Sequence, residues 1–214
     1  MLQFITHSPT AEGTIAQARA AIAGGCRWVQ VRMKDVPAQK TAYVLASLAA
    51  LCMERNVTLI VDDHVELAGE PGVAGVHLGQ TDMPVTEARK ILGKGKIIGL
   101  TINSMDHARA MMNSEAAMAV DYVGIGPWRF TGTKQRLAAV LGKTGVGEII
   151  GYLREAGFDK PVVVIGGVTA ADVAEIAALD PIRMTGVAVS GAIAAATNRT
   201  AATQEIMKIL KDYE

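Results

Sequence analysis

The feature that most constrains the fold of this chain is a regular alternation of short apolar runs with alanine-rich amphipathic segments. Each apolar run has four or five residues and is typical of a strand buried on both faces in a parallel sheet. The runs lie at residues 2–5, 28–31, 58–61, 75–78, 97–101, 121–125, 162–165 and 186–189. Polar residues at helical spacing mark the intervening segments 16–23, 38–54, 85–92, 146–155 and 171–179. The alternation predicts an α/β fold.

The number of strand–helix units decides between the two architectures that this alternation allows. A doubly wound open sheet remains an alternative, because alternation alone does not say whether the sheet closes. A strand followed by a helix, repeated about eight times, is what a (β/α)₈ barrel requires. The chain has 214 residues, of which 50% are hydrophobic, enough for one substantial core. We therefore predict a single-domain (β/α)₈ TIM barrel over residues 1–214.

The charge balance and the apolar runs exclude several classes of partner. The 21 basic and 21 acidic residues cancel, so no global field attracts nucleic acid or an anionic membrane surface. The longest apolar stretch, residues 43–53, is too short to span a bilayer, and residues 1–8 lack the pattern of a secretory leader. Cys26 and Cys52 form no spaced framework, which fits a reducing compartment and two core thiols. We expect a cytoplasmic protein without nucleic-acid or membrane partners.

Polar residues follow the second predicted strand at every other position. The two-residue period of a strand places Gln30, Arg32 and Lys34 on one face. In a barrel the carboxyl ends of the strands surround the active site, so two cations would converge there. A bound anion would compensate a cationic pair that is partly shielded from water. The alternative is a solvated strand end with ordinary ion pairs.

Carboxylates follow the next two predicted strands. Asp62 and Asp63 end the third strand, and Asp82 follows the fourth. One or two carboxylates, with water and phosphate in the remaining positions, is the usual way in which proteins hold Mg²⁺. The alternative is that these residues cap the helices that follow them. His77 has no other histidine at ligand spacing, and we interpret it as structural.

Glycine-rich segments follow the last three strands and are suited to oxyanions. Residues 124–134 leave a strand with glycines and then offer two threonine hydroxyls and a lysine, although the same residues also suit a surface turn. Residues 166–169 and 189–192 each open a helix. In (β/α)₈ enzymes the loops after strands seven and eight commonly hold a phosphate monoester. The mouth is thus predicted to have two anion sites, one for a diphosphate and one for a monophosphate.

Five ordered motifs at these strand ends resemble those of thiamine phosphate synthase. They lie at residues 29–34, 75–82, 124–134, 165–167 and 187–190. Single glycine motifs would be weak evidence, whereas five motifs in order at consecutive strand ends form a specific signature.

The resemblance implies a transferase that couples 4-amino-5-hydroxymethyl-2-methylpyrimidine diphosphate to 4-methyl-5-(2-phosphoethyl)thiazole. The products are thiamine phosphate and diphosphate, and the reaction depends on Mg²⁺. In the family mechanism diphosphate leaves first, and the thiazole nitrogen then captures a pyrimidinylmethyl cation.

The resemblance also implies the residue roles. The metal would be held by Asp63 and Asp82, and the catalytic cations would be Arg32, Lys34 and Lys134. The pyrimidine diphosphate would contact Gln30, Arg32, Lys34, Asp62, Thr101 and Lys134. The thiazole phosphate would contact Thr131, Gly132, Thr133, Gly167, Val189 and Ser190.

Several positions depart from the usual family pattern. Asp62 stands where asparagine is common, which would give the metal site either an additional carboxylate or a protonated one, and Thr101 stands where serine is usual. The pair Arg129-Phe130 replaces phenylalanine and proline, and Asn103 replaces a frequent histidine. Residues 135–142 have no strand or helix periodicity and are predicted to form a lid.

Two rival functions and one assembly remain open. A thiazole tautomerase-like barrel would lack the diphosphate and metal residues, and a non-catalytic barrel would bind its phosphorylated ligand without Mg²⁺-dependent turnover. Net neutrality permits a homodimer without predicting its interface.

Overall fold

The computed structural model describes residues 1–130, 139–180, 182 and 184–213, and in it eight parallel strands close into one barrel. Each strand pairs with its neighbours in chain order, and β1 pairs with β8. The strands are β1 Leu2–Ile5, β2 Trp28–Val31, β3 Thr58–Asp62, β4 Gly75–Leu78, β5 Ile97–Ile102, β6 Tyr122–Ile125, β7 Val162–Ile165 and β8 Thr185–Val189. The predicted barrel is confirmed, and the open sheet is wrong.

Helices surround the barrel in the described part of the chain. They are α1 Ala11–Ala23, α2 Ala38–Glu54, α3 Val85–Leu92, α4 Met105–Met112, α5 Ala116–Ala119, α6 Gly142–Glu155, α7 Val173–Ala177, α8 Gly191–Ala194 and α9 Arg199–Lys211. Short 3-10 helices span Val65–Gly69 and Ala170–Asp172. Asn198 caps α9 by accepting the amide of Ala201, and the helix buries Ile206 and Leu210 against the rest of the fold. None of the described helices is long and apolar enough to cross a membrane.

The core has two layers because alternate residues of each strand point to opposite faces of the barrel wall. The larger cluster lies between the strands and the helices and includes both free cysteines. Burial raises the pKa of each thiol to about 11, so Cys26 and Cys52 are core residues as predicted. The smaller cluster fills the barrel interior and contains Ile5, Ile60, Tyr122, Val163 and Ala188.

A glycine in the barrel wall makes room for a polar contact inside the barrel. Gly99 pairs in register with His77 on one side and with Tyr122 on the other. A Cβ atom on Gly99 would lie 2.2 Å from Tyr122 Cζ and 2.5 Å from His77 Nδ1. The missing side chain therefore lets His77 Nδ1 and Tyr122 Oη meet at 2.7 Å.

Candidate active site

The predicted cations converge where β2 and β3 end. Gln30 Nε2 donates to Asp62 Oδ1 at 2.5 Å, and Arg32 Nε lies 3.3 Å from Asp62 Oδ2. Lys34 Nζ lies 3.6 Å from the same Asp62 oxygen and also donates to Asp63. Gln30 and Asp62 are buried, whereas the Lys34 side chain is 45% exposed. The structure thus brings five predicted site residues together, namely Gln30, Arg32, Lys34, Asp62 and Asp63.

Asp62 has a different environment from the one expected for a metal ligand. Both of its carboxylate oxygens face donors from β2 and the residues after it, namely Gln30, Arg32 and Lys34. Its position opposite the β2 residues follows from the register, which pairs Gln30 with Ile60 and Val31 with Val61. Asp62 is therefore the internal counter-ion of the cationic pair, and the ion pairs of the alternative interpretation are present.

Asp63 and Asp82 form the carboxylate pair next to these cations. Burial raises the pKa of Asp82, and the nearby Asp63 carboxylate raises it further, while the Gly79 amide and Lys34 oppose the shift. Burial lowers the pKa of Lys34, but the hydrogen bond to Asp63 and the charges of Asp62 and Asp63 outweigh it, so the net pKa is raised. Two carboxylates whose negative charges oppose each other are suited to a divalent cation, which needs one or two of them.

The capping alternative for these aspartates is wrong. The 3-10 helix Val65–Gly69 and α3 both begin without a side-chain cap. Asp82 instead accepts the amide of Gly79 at 2.6 Å within its own turn. Asp63 adopts a φ of 64°, in the left-handed region that is uncommon for residues other than glycine. Within the described residues no group of three or more His, Cys, Asp or Glu side chains is placed to hold a metal.

Thr101 ends a chain of hydrogen bonds that crosses the barrel interior. Its hydroxyl lies 2.8 Å from His77 Nε2, and Tyr122 Oη, which contacts His77 Nδ1, also accepts from Gln3 Nε2 at 3.0 Å. Full burial raises the pKa of Tyr122 well above its usual value. His77 is buried with both ring nitrogens in hydrogen-bond contact, which favours the structural interpretation over that of a metal ligand. His77 thereby orients the hydroxyl of Thr101, near the end of β5, from the barrel interior.

The loops after β7 and β8 lie at the same end of the barrel. Gly166 and Gly167 have φ values of 94° and 74°, which only glycine adopts readily. A Cβ atom on Gly166 would lie 2.7 Å from Pro127, so the turn lies directly against the chain that leaves β6. Val189 is buried at the end of β8, and the carbonyl of Ser190 accepts the amides of Ile193 and Ala194 at the start of α8.

Three of the predicted contacts with the monophosphate and one with the diphosphate fall in the segment after Phe130. Thr131, Gly132, Thr133 and Lys134 lie outside the described residues, as do the first four residues of the predicted lid, 135–138. Of the rest of that segment, Ala139 and Val140 are exposed, and Gly142 begins α6.

Arg129, which departs from the usual family pattern, pairs with Asp172. The Arg129 guanidinium makes a two-pronged contact with the Asp172 carboxylate, with Nη1 to Oδ2 at 2.7 Å. Asp172 also accepts from the amide and hydroxyl of Thr169, each at 2.8 Å. Although burial raises the pKa of Asp172, these hydrogen bonds and one from Trp128 lower it overall. The contact joins the chain after β6 to the loop after β7.

Comparison with known proteins gives consistent matches over nearly the whole chain. A family model described as thiamine monophosphate synthase matches residues 2–193. The thiamine-phosphate synthase of Phocaeicola vulgatus is 44% identical over 208 residues, which cover 97% of this chain and 97% of the relative. The thiamine-phosphate synthase of Bacteroides fragilis is 43% identical over 208 residues, covering 97% of this chain and 98% of that relative.

A solved structure also shares the fold. Thiamine phosphate pyrophosphorylase from Pyrococcus furiosus is similar with a TM-score of 0.82 at 29% sequence identity. The match covers 99% of this chain and 96% of that chain.

Proposed function

The chain belongs to the thiamine monophosphate synthase family, and on that premise we propose how its residues perform the reaction. The enzyme is a transferase that forms thiamine phosphate, as its curated relatives are named. The pyrimidine diphosphate binds at the ends of β2 to β5, and the thiazole phosphate binds at the loops after β6, β7 and β8. The observation that carries this assignment is the convergence of Arg32 and Lys34 on carboxylates at the barrel mouth.

The balance of charge at the diphosphate site supports a requirement for a divalent cation. Two cations, Arg32 and Lys34, face the carboxylates of Asp62, Asp63 and Asp82. A diphosphate placed there alone would add its own negative charge to a site where these cations and Lys134 do no more than balance the three carboxylates. Asp63 and Asp82 would hold Mg²⁺, which when bound supplies positive charge to the diphosphate oxygens.

Arg32, Lys34 and Lys134 would stabilise the departing diphosphate. Negative charge on the leaving oxygens grows in the transition state, so preorganised cations lower its energy more than that of the ground state. Asp62 supports this preorganisation, because it holds Arg32 and Lys34 at one place before the substrate arrives. Gln30 and Thr101 would complete the pyrimidine diphosphate site from the barrel interior.

The thiazole phosphate would bind opposite, on Gly167, Val189 and Ser190. Left-handed glycines after β7 turn the backbone so that its amides can face an oxyanion. The segment Thr131, Gly132 and Thr133 would add hydroxyl and amide donors. A thiazole held there would lie beside the pyrimidine. This position would bring the two reactants together and shield the pyrimidinylmethyl cation from water.

The experiment that tests this function supplies both substrates with and without Mg²⁺ and measures diphosphate release together with thiamine phosphate. We expect equal amounts of the two products with Mg²⁺ and neither without it. Binding of the thiazole phosphate without product formation would instead identify a non-catalytic barrel. Isomerisation of a thiazole substrate without diphosphate release would identify a tautomerase.

We also propose that the enzyme acts in the cytoplasm on small-molecule substrates. The two free, buried cysteines fit a reducing compartment. A homodimer stays a prediction, which light scattering of the purified protein at working concentration would decide.

A further inference from the structure

Backbone hydrogen bonds and a side-chain ion pair join the loops after β6 and β7. Beyond the ends of the strands, Trp128 N donates to Ile165 O at 2.9 Å, and Arg129 N donates to Gly166 O at 2.8 Å. The segment after β6 and the end of β7 with the residues after it therefore continue side by side past the barrel wall. Above this backbone pairing, the two-pronged contact between Arg129 and Asp172 crosses from one loop to the other.

Asp172 ends the short 3-10 helix Ala170–Asp172, which directly follows the turn at residues 166–169. Its side chain is 3% exposed, and its carboxylate accepts the amide and the hydroxyl of Thr169, the last residue of that turn. The same carboxylate receives Arg129. A displacement of Arg129 would thus act directly on the group that anchors the end of the turn, and that turn contains Gly167.

We propose that Arg129 is a positioning residue that, through Asp172, holds the turn at residues 166–169 in the conformation that binds the thiazole phosphate. This inference rests on the proposed function, because it assigns the turn to that substrate. The arginine does not touch the reacting atoms. It sets the affinity for one of the two substrates and leaves the diphosphate site on β2 to β5 unchanged.

The geometry requires arginine at this position. A guanidinium presents two parallel N–H donors to a carboxylate and so fixes orientation as well as distance. A lysine would supply the charge through a single, rotatable point and would restore only part of the effect. Because the Arg129 side chain is 51% exposed and Asp172 keeps its bonds to Thr169, loss of the arginine should leave the protein folded.

The test compares R129Q, R129K and wild type in steady-state assays in which each substrate is varied in turn. For R129Q we expect KM for the thiazole phosphate to rise about tenfold, with KM for the pyrimidine diphosphate within about twofold of wild type. R129K should fall between R129Q and wild type. The matched control is R109Q, because Arg109 is also an exposed, ion-paired arginine, 59% exposed, and lies on α4 away from both loops.

A double-mutant cycle with D172N tests whether Arg129 and Asp172 act on KM through their shared contact or independently of each other. The variant R129Q/D172N should raise KM for the thiazole phosphate no further than the worse single variant does, because both changes break the same contact. Additive effects would overturn the inference, as would an equal rise in both KM values or a thermal midpoint lowered in R129Q far below that of R109Q.

The outcomes distinguish this inference from the proposed function. If wild type forms thiamine phosphate and R129Q keeps the wild-type KM for the thiazole phosphate, the positioning role is wrong and the function stands. If wild type forms no thiamine phosphate with Mg²⁺, the proposed function fails, and the inference fails with it.

Discussion

At the scale of the residue, the ends of β2 and β3 are organised by Asp62, whose two carboxylate oxygens contact Gln30, Arg32 and Lys34. The two-residue period of a strand was enough to place Gln30, Arg32 and Lys34 together, although β2 itself ends at Val31. The role of Asp62 was not predictable in this way, because it depends on the register between two strands. The contact between Arg129 and Asp172 was missed for a similar reason, since the two residues lie 43 positions apart in the chain.

The metal role of Asp63 is tested by a change that keeps its backbone conformation. Asparagine tolerates the left-handed region as well as aspartate does, so D63N removes the charge with little strain. Because the carboxylate would hold the metal, we expect D63N to lower Mg²⁺-dependent turnover by about a hundredfold or more while the free energy of unfolding changes by less than about 1 kcal/mol. Turnover is measured over a Mg²⁺ titration, and stability by urea unfolding.

The matched control for this variant is D35N. Asp35 also has a positive φ, 59°, and is exposed just beyond Lys34. D35N therefore makes the same chemical change in the same backbone region, and it should retain wild-type turnover. Normal Mg²⁺-dependent activity of D63N would contradict the metal role of Asp63.

At the scale of the element, the strands were easier to predict than the helices. Buried parallel strands are continuous apolar runs, and every predicted strand boundary lies within one residue of the observed one. The helices α4, α5 and α9 were not predicted, because their apolar stripes are short or interrupted by polar residues. Their capping residues were a usable signal, since Ser104 and Asn198 each accept the amide three positions later.

Gly99 offers a prediction about the packing between neighbouring strands. In G99A the new methyl group would collide with Tyr122 and His77, which pack over the glycine in the barrel interior. We expect G99A to lower the free energy of unfolding by about 1–3 kcal/mol, the usual cost of overpacking. Because His77 orients Thr101, turnover should fall as well. Urea unfolding and the coupled assay measure the two effects.

A second glycine-to-alanine change provides the opposite expectation. Gly151 lies within α6, and a Cβ atom there would meet nothing within 4 Å. G151A should therefore stabilise the protein by about 0.5–1 kcal/mol and leave turnover unchanged. Equal effects of G99A and G151A on stability would show that the space over Gly99 does not matter.

At the scale of the whole molecule, the number of strand–helix units carried the prediction of a closed barrel. Closure itself depends on the pairing of β1 with β8, whose partners are far apart in sequence, so the pattern alone left the open sheet as an alternative. The two anion sites were likewise predicted as features of the barrel mouth. The alternation of strands and helices does not predict how the loops after β6 and β7 contact each other, because that contact joins residues 43 positions apart.

The charge balance at the mouth predicts how ligands stabilise the whole protein. Inorganic diphosphate alone meets three carboxylates that Arg32, Lys34 and the proposed contact Lys134 do no more than balance, so it should bind weakly and raise the thermal midpoint little. Diphosphate together with Mg²⁺ should raise the midpoint by several degrees, and D63N should abolish that additional rise. A full shift with diphosphate alone, in the presence of a chelator, would contradict the proposed division of charge.

We expect the stability of the protein in acid to depend on a buried ion pair between α6 and the residues before β8. Arg154, near the end of α6, makes a two-pronged contact with Asp180, and their side chains are 7% and 0% exposed. Asp180 also accepts the hydroxyl of Thr185 at the start of β8. Burial raises the pKa of Asp180, but the bonds and charge of Arg154 and the Thr185 hydroxyl lower it overall.

The lowered pKa of Asp180 gives the sign of its pH dependence. A carboxylate whose pKa is lower in the folded state contributes stability that is fully present above its ordinary value of 3.8 and is lost as the pH falls through the folded value. We expect D180N to cost about 3 kcal/mol at pH 7, because it leaves Arg154 buried without a counter-charge. The difference from wild type should narrow below about pH 4, where the Asp180 carboxylate of the unfolded chain begins to protonate while that of the folded protein is still charged.

Urea unfolding of wild type and D180N between neutral and acid pH checks both parts of this prediction. The control is D121N, whose carboxylate pairs with Arg89 but is 46% exposed. Because an exposed pair is solvated, D121N should cost about 1 kcal/mol or less. A difference between wild type and D180N that stays constant down to pH 3 would mean that the charge of Asp180 contributes nothing. Its hydrogen bonds alone would then join the ends of α6 and β8.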